Sequence, residues 1–193
     1  MKKELRKKFI FKRNMLTEKY RDFASKKILE TLEKHEAFLQ AEKIFIFVGF
    51  GTEIQTEILI KKWINKKKLF VPKIENNTMY LIQLTSWNDL EGGHFGILEP
   101  KHSNYYTGKI DLVITPSIVF DRNGYRLGYG KGYYDKYFSL NNYDISIGLS
   151  YDKLLQKTVP IDNHDKAVDI IITEEKAITI NEKYNSNNKR KDN

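Results

Sequence analysis

The chain has 193 residues, 40% of them hydrophobic and 13% aromatic, and a formal net charge of +8. That is the size and composition of one globular domain with a sizeable core, which sets aside disordered and fibrous classes. There is no cysteine, so disulfides and thiolate chemistry are excluded, and no apolar run approaches the roughly 18 residues of a membrane span.

The opening MKKELRKKFIFKR lacks the apolar run of a signal peptide, so a cytoplasmic protein with no membrane partner is expected. Residues 2–13 read as a helix with Leu5, Phe9 and Ile10 on one face. A second helix starts at Thr17 as N-cap and carries Tyr20, Phe23, Ala24, Ile28, Leu29 and Leu32 at helical spacing. Lys43 to Val48 reads as a buried strand running into the loop Gly49-Phe-Gly-Thr-Glu53. Residues 56–65 fit a helix, 69–71 a short strand before Pro72, and 79–84 another strand. Residues 87–96 read as loop, 110–115 as a strand ending at Pro116, and 145–149 and 170–172 as further strands. Tyr134, Tyr137 and Phe138 share a helical face.

Strands that are apolar on both faces and alternate with helices predict an α/β domain over 1–184. The expected form is an open, mostly parallel sheet with helices on both faces, Rossmann-like and three-layered. The polar residues 185–193 are expected to form a disordered tail. In such sheets ligands bind beyond the strand C-termini, where both glycine-containing loops fall.

The second of these loops reads GYRLGYGKGYYD over residues 124–135. Gly128, Gly130 and Gly132 alternate with Tyr129 and Lys131, which matches neither the dinucleotide fingerprint nor the phosphate loop that needs Ser or Thr after Gly-Lys. Its composition points to phosphate all the same. Glycines let backbone N–H groups approach a ligand closely, and Lys131 and Arg126 supply charge. Asp135 would repel phosphates unless a cation such as Mg2+ lies between, and Asp169 is a candidate second carboxylate. The alternatives are a tight turn, a first-turn acid on a helix and a strand-edge residue. The four histidines, at 35, 94, 102 and 164, have no metal-ligand spacing and read as surface or structural. The positive charge suits nucleic acid or an anionic small molecule, but lysine is scattered along the whole chain and no RNA motif is present.

The run Pro116-Ser-Ile-Val-Phe-Asp121 followed by GYRLGYGKGYYD resembles the 5-formyltetrahydrofolate cyclo-ligase family. Lys-Lys-Glu-Leu-Arg6, Glu53-Ile-Gln-Thr56, Phe95-Gly-Ile-Leu-Glu-Pro100 and His164-Asp-Lys-Ala-Val-Asp169 are similar to its other segments, in the same order. The resemblance implies ATP-dependent cyclisation of 5-formyltetrahydrofolate to 5,10-methenyltetrahydrofolate, with ADP and phosphate released. It implies a single α/β domain, ATP and Mg2+ as cofactors, and reduced folate, polyglutamylated or not, as substrate. A monomer is expected and a nucleic-acid partner is not. The competing readings are a basic RNA-binding module on the same fold and another ATP-dependent ligase.

Carried over residue by residue, the resemblance places Lys2 or Lys3, Arg6, Arg126, Leu127, Gly128, Tyr129, Gly130, Lys131, Gly132, Tyr133 and Tyr134 around ATP. Lys131 and Arg126 are the catalytic candidates. It places Val48, Glu53 and residues Tyr129 to Tyr133 around the folate, and Asp135 and Asp169 on the metal. Gln55 departs from the pattern, standing where many members carry an acid. The lysines of 61–68 are a solvated basic face or an attractant for a polyglutamate tail.

Overall fold

The computed structural model describes residues 1–93, 96–140 and 142–184. The expected tail at 185–193 lies outside them, as do His94 and Phe95. Alternation of burial along the strands builds the sheet. Ile44 and Ile46, Leu112 and Ile114, and Ile170 and Ile172 face one apolar cluster, while Phe45, Val113 and Ile171 face another. Successive strand side chains point to opposite faces, so a strand apolar at every position must be covered twice.

Helix α1 (Lys2–Asn14) packs Phe9 in a separate cluster with Ile118, Val119, Leu127 and Val159, while the first cover comes from helices α2 (Glu18–Lys34), α3 (Glu36–Gln40) and α4 (Glu57–Trp63). Of these, α2 lays Ala24, Ile28, Leu29 and Leu32 on the first cluster, and α3 and α4 add Phe38, Leu59 and Ile60. The Thr17 Oγ1 accepts the Tyr20 N–H at 3.2 Å, the expected N-cap, worth about 1 kcal/mol. Both tryptophans, Trp63 and Trp87, pack against this same cluster. The second face carries one short helix, α5 (Tyr133–Ser139), whose Tyr137 and Phe138 are buried against Phe45, Phe70 and Phe120. Helices thus lie on both faces, unequally.

Twelve strands fall within the described residues: β1 (Lys43–Ile46), β2 (Lys68–Glu75), β3 (Thr78–Leu84), β4 (Leu90–Gly92), β5 (Leu98–Pro100), β6 (Tyr105–Tyr106), β7 (Ile110–Thr115), β8 (Val119–Phe120), β9 (Arg126–Leu127), β10 (Tyr143–Leu149), β11 (Ile170–Ile172) and β12 (Ala177–Thr179). Eight form the main sheet in the order β12-β11-β10-β7-β1-β2-β3-β6. Its centre, β11-β10-β7-β1-β2, is parallel, and the pairs at the two ends are antiparallel. The chain leaves β1 towards β2 on one side, while β7 lies on the other. The crevice outside β1 and β7 is therefore a topological switch point, where open α/β sheets place their ligands.

Candidate active site

Two loops leave the sheet at this point. The first, 47–56, is stitched by Thr56, whose hydroxyl donates to the Phe47 carbonyl at 2.8 Å and accepts the Gly49 N–H at 3.0 Å. A side chain on Gly49 would overlap the Ile54 carbonyl, so the turn requires glycine. This turn aims Glu53 inwards, at only 5% exposure. The Tyr129 hydroxyl donates to its Oε1 at 2.7 Å, and the Phe50 N–H reaches Oε2 at 3.4 Å. Burial pushes the Glu53 carboxyl above the usual carboxylate range, against the opposing pull of the Tyr129 bond and the Arg13 charge.

The second loop starts as the hairpin β8–β9. Asp121, 1% exposed, anchors it: Oδ1 accepts the N–H groups of Asn123 and Tyr125, and Oδ2 that of Val159. Leu127 is a core residue here, packed with Phe9, Ile118, Val119 and Val159. Residues 128–132 then run out over the sheet edge. Gly130 has φ +100° and Gly132, the residue before α5, has φ +68°, conformations that favour glycine. Among the described residues, none of the five N–H groups of 128–132 donates a hydrogen bond. A row of unpaired amides on a left-handed turn is an anion-binding concavity.

Charge is arranged around this row. Arg6 donates from Nε to the Gly128 carbonyl at 2.8 Å, which brings its guanidinium against Gly130. Lys131 is exposed, and no carboxylate among the described residues pairs with it. Lys2 is held instead by Asp162 and Asp165, both at 2.7 Å, whereas Lys3 is exposed. Arg126 does not project into the loop. It is 9% exposed, lies 4.8 Å from the Phe138 ring centroid, and donates to the Lys166 carbonyl and to Asp135 Oδ1, each at 2.7 Å. Burial draws the Arg126 guanidinium below its usual range and Asp135 opposes this. Removing Asp135 would leave the Arg126 charge buried and uncompensated, at a cost of about 3–5 kcal/mol.

Asp135 fits a cation ligand. Its Oδ1 is fixed by Arg126 and by the Lys166 N–H at 3.1 Å, while Oδ2 has no hydrogen bond among the described residues. Asp169 is placed differently. Its Oδ2 accepts from the Ser146 N–H and hydroxyl, both at 2.8 Å, and Oδ1 accepts from Asn181 at 2.8 Å. Asp169 thus ties β10 to the approach of β11 and shares no partner with Asp135. Asp162, His164 and Asp165 form the one metal-sized group of three among the described residues, but the Lys2 ammonium already sits on its two carboxylates.

The remaining candidates are aromatic or apolar. Tyr134 stacks on Phe45 with ring centroids 5.6 Å apart, and its hydroxyl is buried with no partner among the described residues. Tyr133 is half-buried at the start of α5, and Val48 is core. Sequence reading missed Arg13, which is 5% exposed in the last turn of α1 and lies against Glu53 and Tyr129. Nothing in a Lys- and Arg-rich helix distinguishes this arginine except its position four residues after Phe9. The lysines of 61–68 are mostly engaged within the molecule: Lys61 with Glu57, Lys62 with Glu33, and Lys67 with the Leu39 and Ala41 carbonyls. Lys67 and Lys68 lead into the N-terminal end of β2, the edge of the sheet away from both loops.

Fold and site together define an open-sheet α/β protein with a glycine loop of amides unpaired among the described residues and a buried carboxylate side by side at a topological switch point. Residues 1–174 match the family model described as the 5-formyltetrahydrofolate cyclo-ligase family, and the chain belongs to that family. A 5-formyltetrahydrofolate cyclo-ligase of Mus musculus is 30% identical over 160 residues, covering 73% of this chain and 77% of the mouse protein. The NMR structure of 5,10-methenyltetrahydrofolate synthetase from Aquifex aeolicus superposes with a TM-score of 0.81 at 32% identity, over 93% of this chain and 92% of its own. The synthetase from Mycoplasma pneumoniae, at 23% identity and a TM-score of 0.69 over 90% of this chain and 98% of its own, shares the fold. Among the described residues, no helix is long and apolar enough to cross a membrane.

Proposed function

We propose that the protein catalyses the ATP-dependent closure of 5-formyltetrahydrofolate to 5,10-methenyltetrahydrofolate, with release of ADP and phosphate. The N5-formyl group is an amide, so its carbonyl carbon is a poor electrophile and its oxygen a very poor leaving group. Transfer of the γ-phosphoryl group to that oxygen removes both obstacles. N10 then attacks the activated carbon, and phosphate departs as the ring closes. Little covalent work falls to the protein, which must align oxygen with phosphorus and balance charge.

The observation that carries this reading is the row of five amides at 128–132, unpaired among the described residues, with the Tyr129 hydroxyl in the same loop bonded to the buried Glu53. The amides and Lys131 cradle the phosphates, and Arg6 closes the side next to Gly130. Glu53 accepts the paired N–H donors of the pterin ring, and Tyr129 and Tyr133 border both ligands. Arg126 acts from below, fixing Asp135. Mg2+ would be held by Asp135, and it supplies charge neutralisation between the phosphate oxygens when bound. Asp169 would join it only by exchanging its Ser146 or Asn181 bonds.

This reading includes a monomer working in the cytoplasm. The test mixes the protein with MgATP and 5-formyltetrahydrofolate and follows the near-ultraviolet absorbance of the methenyl product. Folded protein that forms none would overturn the proposal.

A further inference from the structure

We propose that Arg13 is a positioning residue of the folate side, which holds the Glu53 carboxylate, through the Tyr129 hydroxyl, in the orientation that receives the substrate. The inference rests on the reading that Glu53 takes the pterin ring.

Arg13 lies four residues after Phe9, on the buried face of α1, where an apolar side chain would be the ordinary choice. Burying a guanidinium is costly unless its donors are satisfied. Its contacts reach three separate segments at the switch point. Nε donates to Thr52 Oγ1 at 3.1 Å, Nη1 to the Ser117 carbonyl at 3.5 Å, and Nη2 to the Tyr129 hydroxyl at 2.8 Å. The Thr52 hydroxyl in turn donates to Asn14 Oδ1 at 2.8 Å, so the last turn of α1 grips the Glu53 loop twice.

The contact with Glu53 itself is indirect. Nη1 stands 3.9 Å from Oε1, and the Tyr129 oxygen bridges the two residues with bonds of 2.8 and 2.7 Å. A purely structural pair would be better served by a direct two-pronged bond. Proton inventory explains the bridge. A guanidinium has donors only, so the Tyr129 oxygen must accept from Arg13, and its single hydrogen is then forced towards Glu53. Arg13 thereby fixes which way the Tyr129 hydroxyl points. Glu53 keeps acceptor capacity for a ligand, because its nearest cation is held one bond away.

The same chain governs ionisation. The titratable or charged groups facing Glu53 are Arg13 from α1, Tyr129 from the glycine loop, Tyr134 from α5 and Tyr151 after β10. Burial raises both Tyr134 and Tyr151, so neither supplies charge near neutral pH. Burial also raises Glu53, and only the Tyr129 bond, the Arg13 charge and the Phe50 N–H oppose it. Tyr129 lies on the nucleotide loop and Glu53 on the folate loop, so the linkage also spans the two halves of the site.

The experiment compares Arg13→Met, Arg13→Lys, Tyr129→Phe and Glu53→Gln by KM for each substrate, the pH profile of kcat/KM for folate, and Tm. Arg13→Met and Tyr129→Phe are each expected to raise the folate KM about tenfold or more, from loss of a bond to a charged group. The acid limb of the folate profile should move to higher pH in both. Arg13→Met should raise the folate KM more than the ATP KM, and Arg13→Lys should recover part of the loss. A lower Tm for Arg13→Met with an unchanged folate KM and acid limb would reduce Arg13 to packing and overturn the proposal. If Arg13→Met does not fold, Tyr129→Phe decides, since its ring is 47% exposed. There too, an unchanged folate KM and limb overturn the proposal. Should Glu53→Gln raise the folate KM while the other variants do not, this inference alone fails. If Glu53→Gln also leaves it unchanged, the assignment of Glu53 falls as well.

Discussion

Alanine at Gly128 separates the fold's need for glycine from the ligand's. Gly128 does not have a left-handed φ, and a Cβ built on it meets no atom within 4 Å. The free protein should therefore accept Gly128→Ala without strain. It should even gain about 0.4–1 kcal/mol, because alanine restricts the unfolded chain. For a protein of this size that is an increase in Tm of up to about 4 °C. Gly130→Ala is the contrasting case. Its φ of +100° is outside the wells of alanine, and the new Cβ would lie 3.1 Å from the Arg6 Cζ. Backbone strain of this kind costs about 1–3 kcal/mol, or about 2–12 °C in Tm. Arg6 can swing aside, so the strain outweighs the clash. If phosphates lie against the 128–132 amides, the Gly128 methyl occupies their space, and a displacement near 1 Å costs about a hundredfold in rate. Differential scanning calorimetry gives Tm, and initial rates across an ATP series give KM and kcat. A Gly128→Ala protein with wild-type Tm, ATP KM and kcat would refute phosphate contact at this residue.

Lys131→Ala should leave stability within about 0.5 kcal/mol of wild type, because the side chain is exposed and unpaired among the described residues. Steady-state rates should show kcat falling by about 10²–10³, the usual loss for one preorganised contact. Glu53→Gln tests the buried carboxyl through pH. Its folded value lies above the unfolded one, so its contribution is full below the unfolded carboxylate range and is lost as pH rises through the raised value. Tm of the Gln variant at pH 7 should therefore equal or exceed wild type, with a flatter Tm profile across that window, although substrate binding falls. Asp135→Ala leaves Arg126 buried without its counter-charge, so chemical denaturation should show a loss of about 3–5 kcal/mol. Asp135→Asn keeps the acceptor, so it should retain more stability while the Mg2+ concentration for half-maximal rate rises.

The sheet was largely legible because the middles of its central strands are short apolar runs, such as Ile44-Phe-Ile46, Leu112-Val-Ile114 and Ile170-Ile-Ile172, and strands covered on both faces read that way. The shortest antiparallel strands were not. β6 and β12 at the ends of the main sheet, and the separate β4–β5 pair, are two or three residues each, too short to carry a period. The glycine loop announced an anion through its composition, and its amides, unpaired among the described residues, are the geometry on which the proposal of phosphate binding rests. The role of Arg126 was legible only as charge. Its burial depends on Phe138 and Lys166, residues 12 and 40 positions away, and no local pattern encodes such contacts. Arg13 is the same lesson in reverse, a charge whose neighbours at 52, 117 and 129 are assembled by topology alone.

The placement of the two tryptophans decides how this molecule can be watched. Trp63 and Trp87 both pack on the α2–α4 side of the sheet, whereas the rings beside the glycine loop are the tyrosines 129, 133 and 134. Indole emission therefore monitors one face melting away from the sheet and is a poor witness to nucleotide entering the loop. A tryptophan placed at Tyr133 would give the loop an optical signal of its own, in a chain whose two native indoles look the other way.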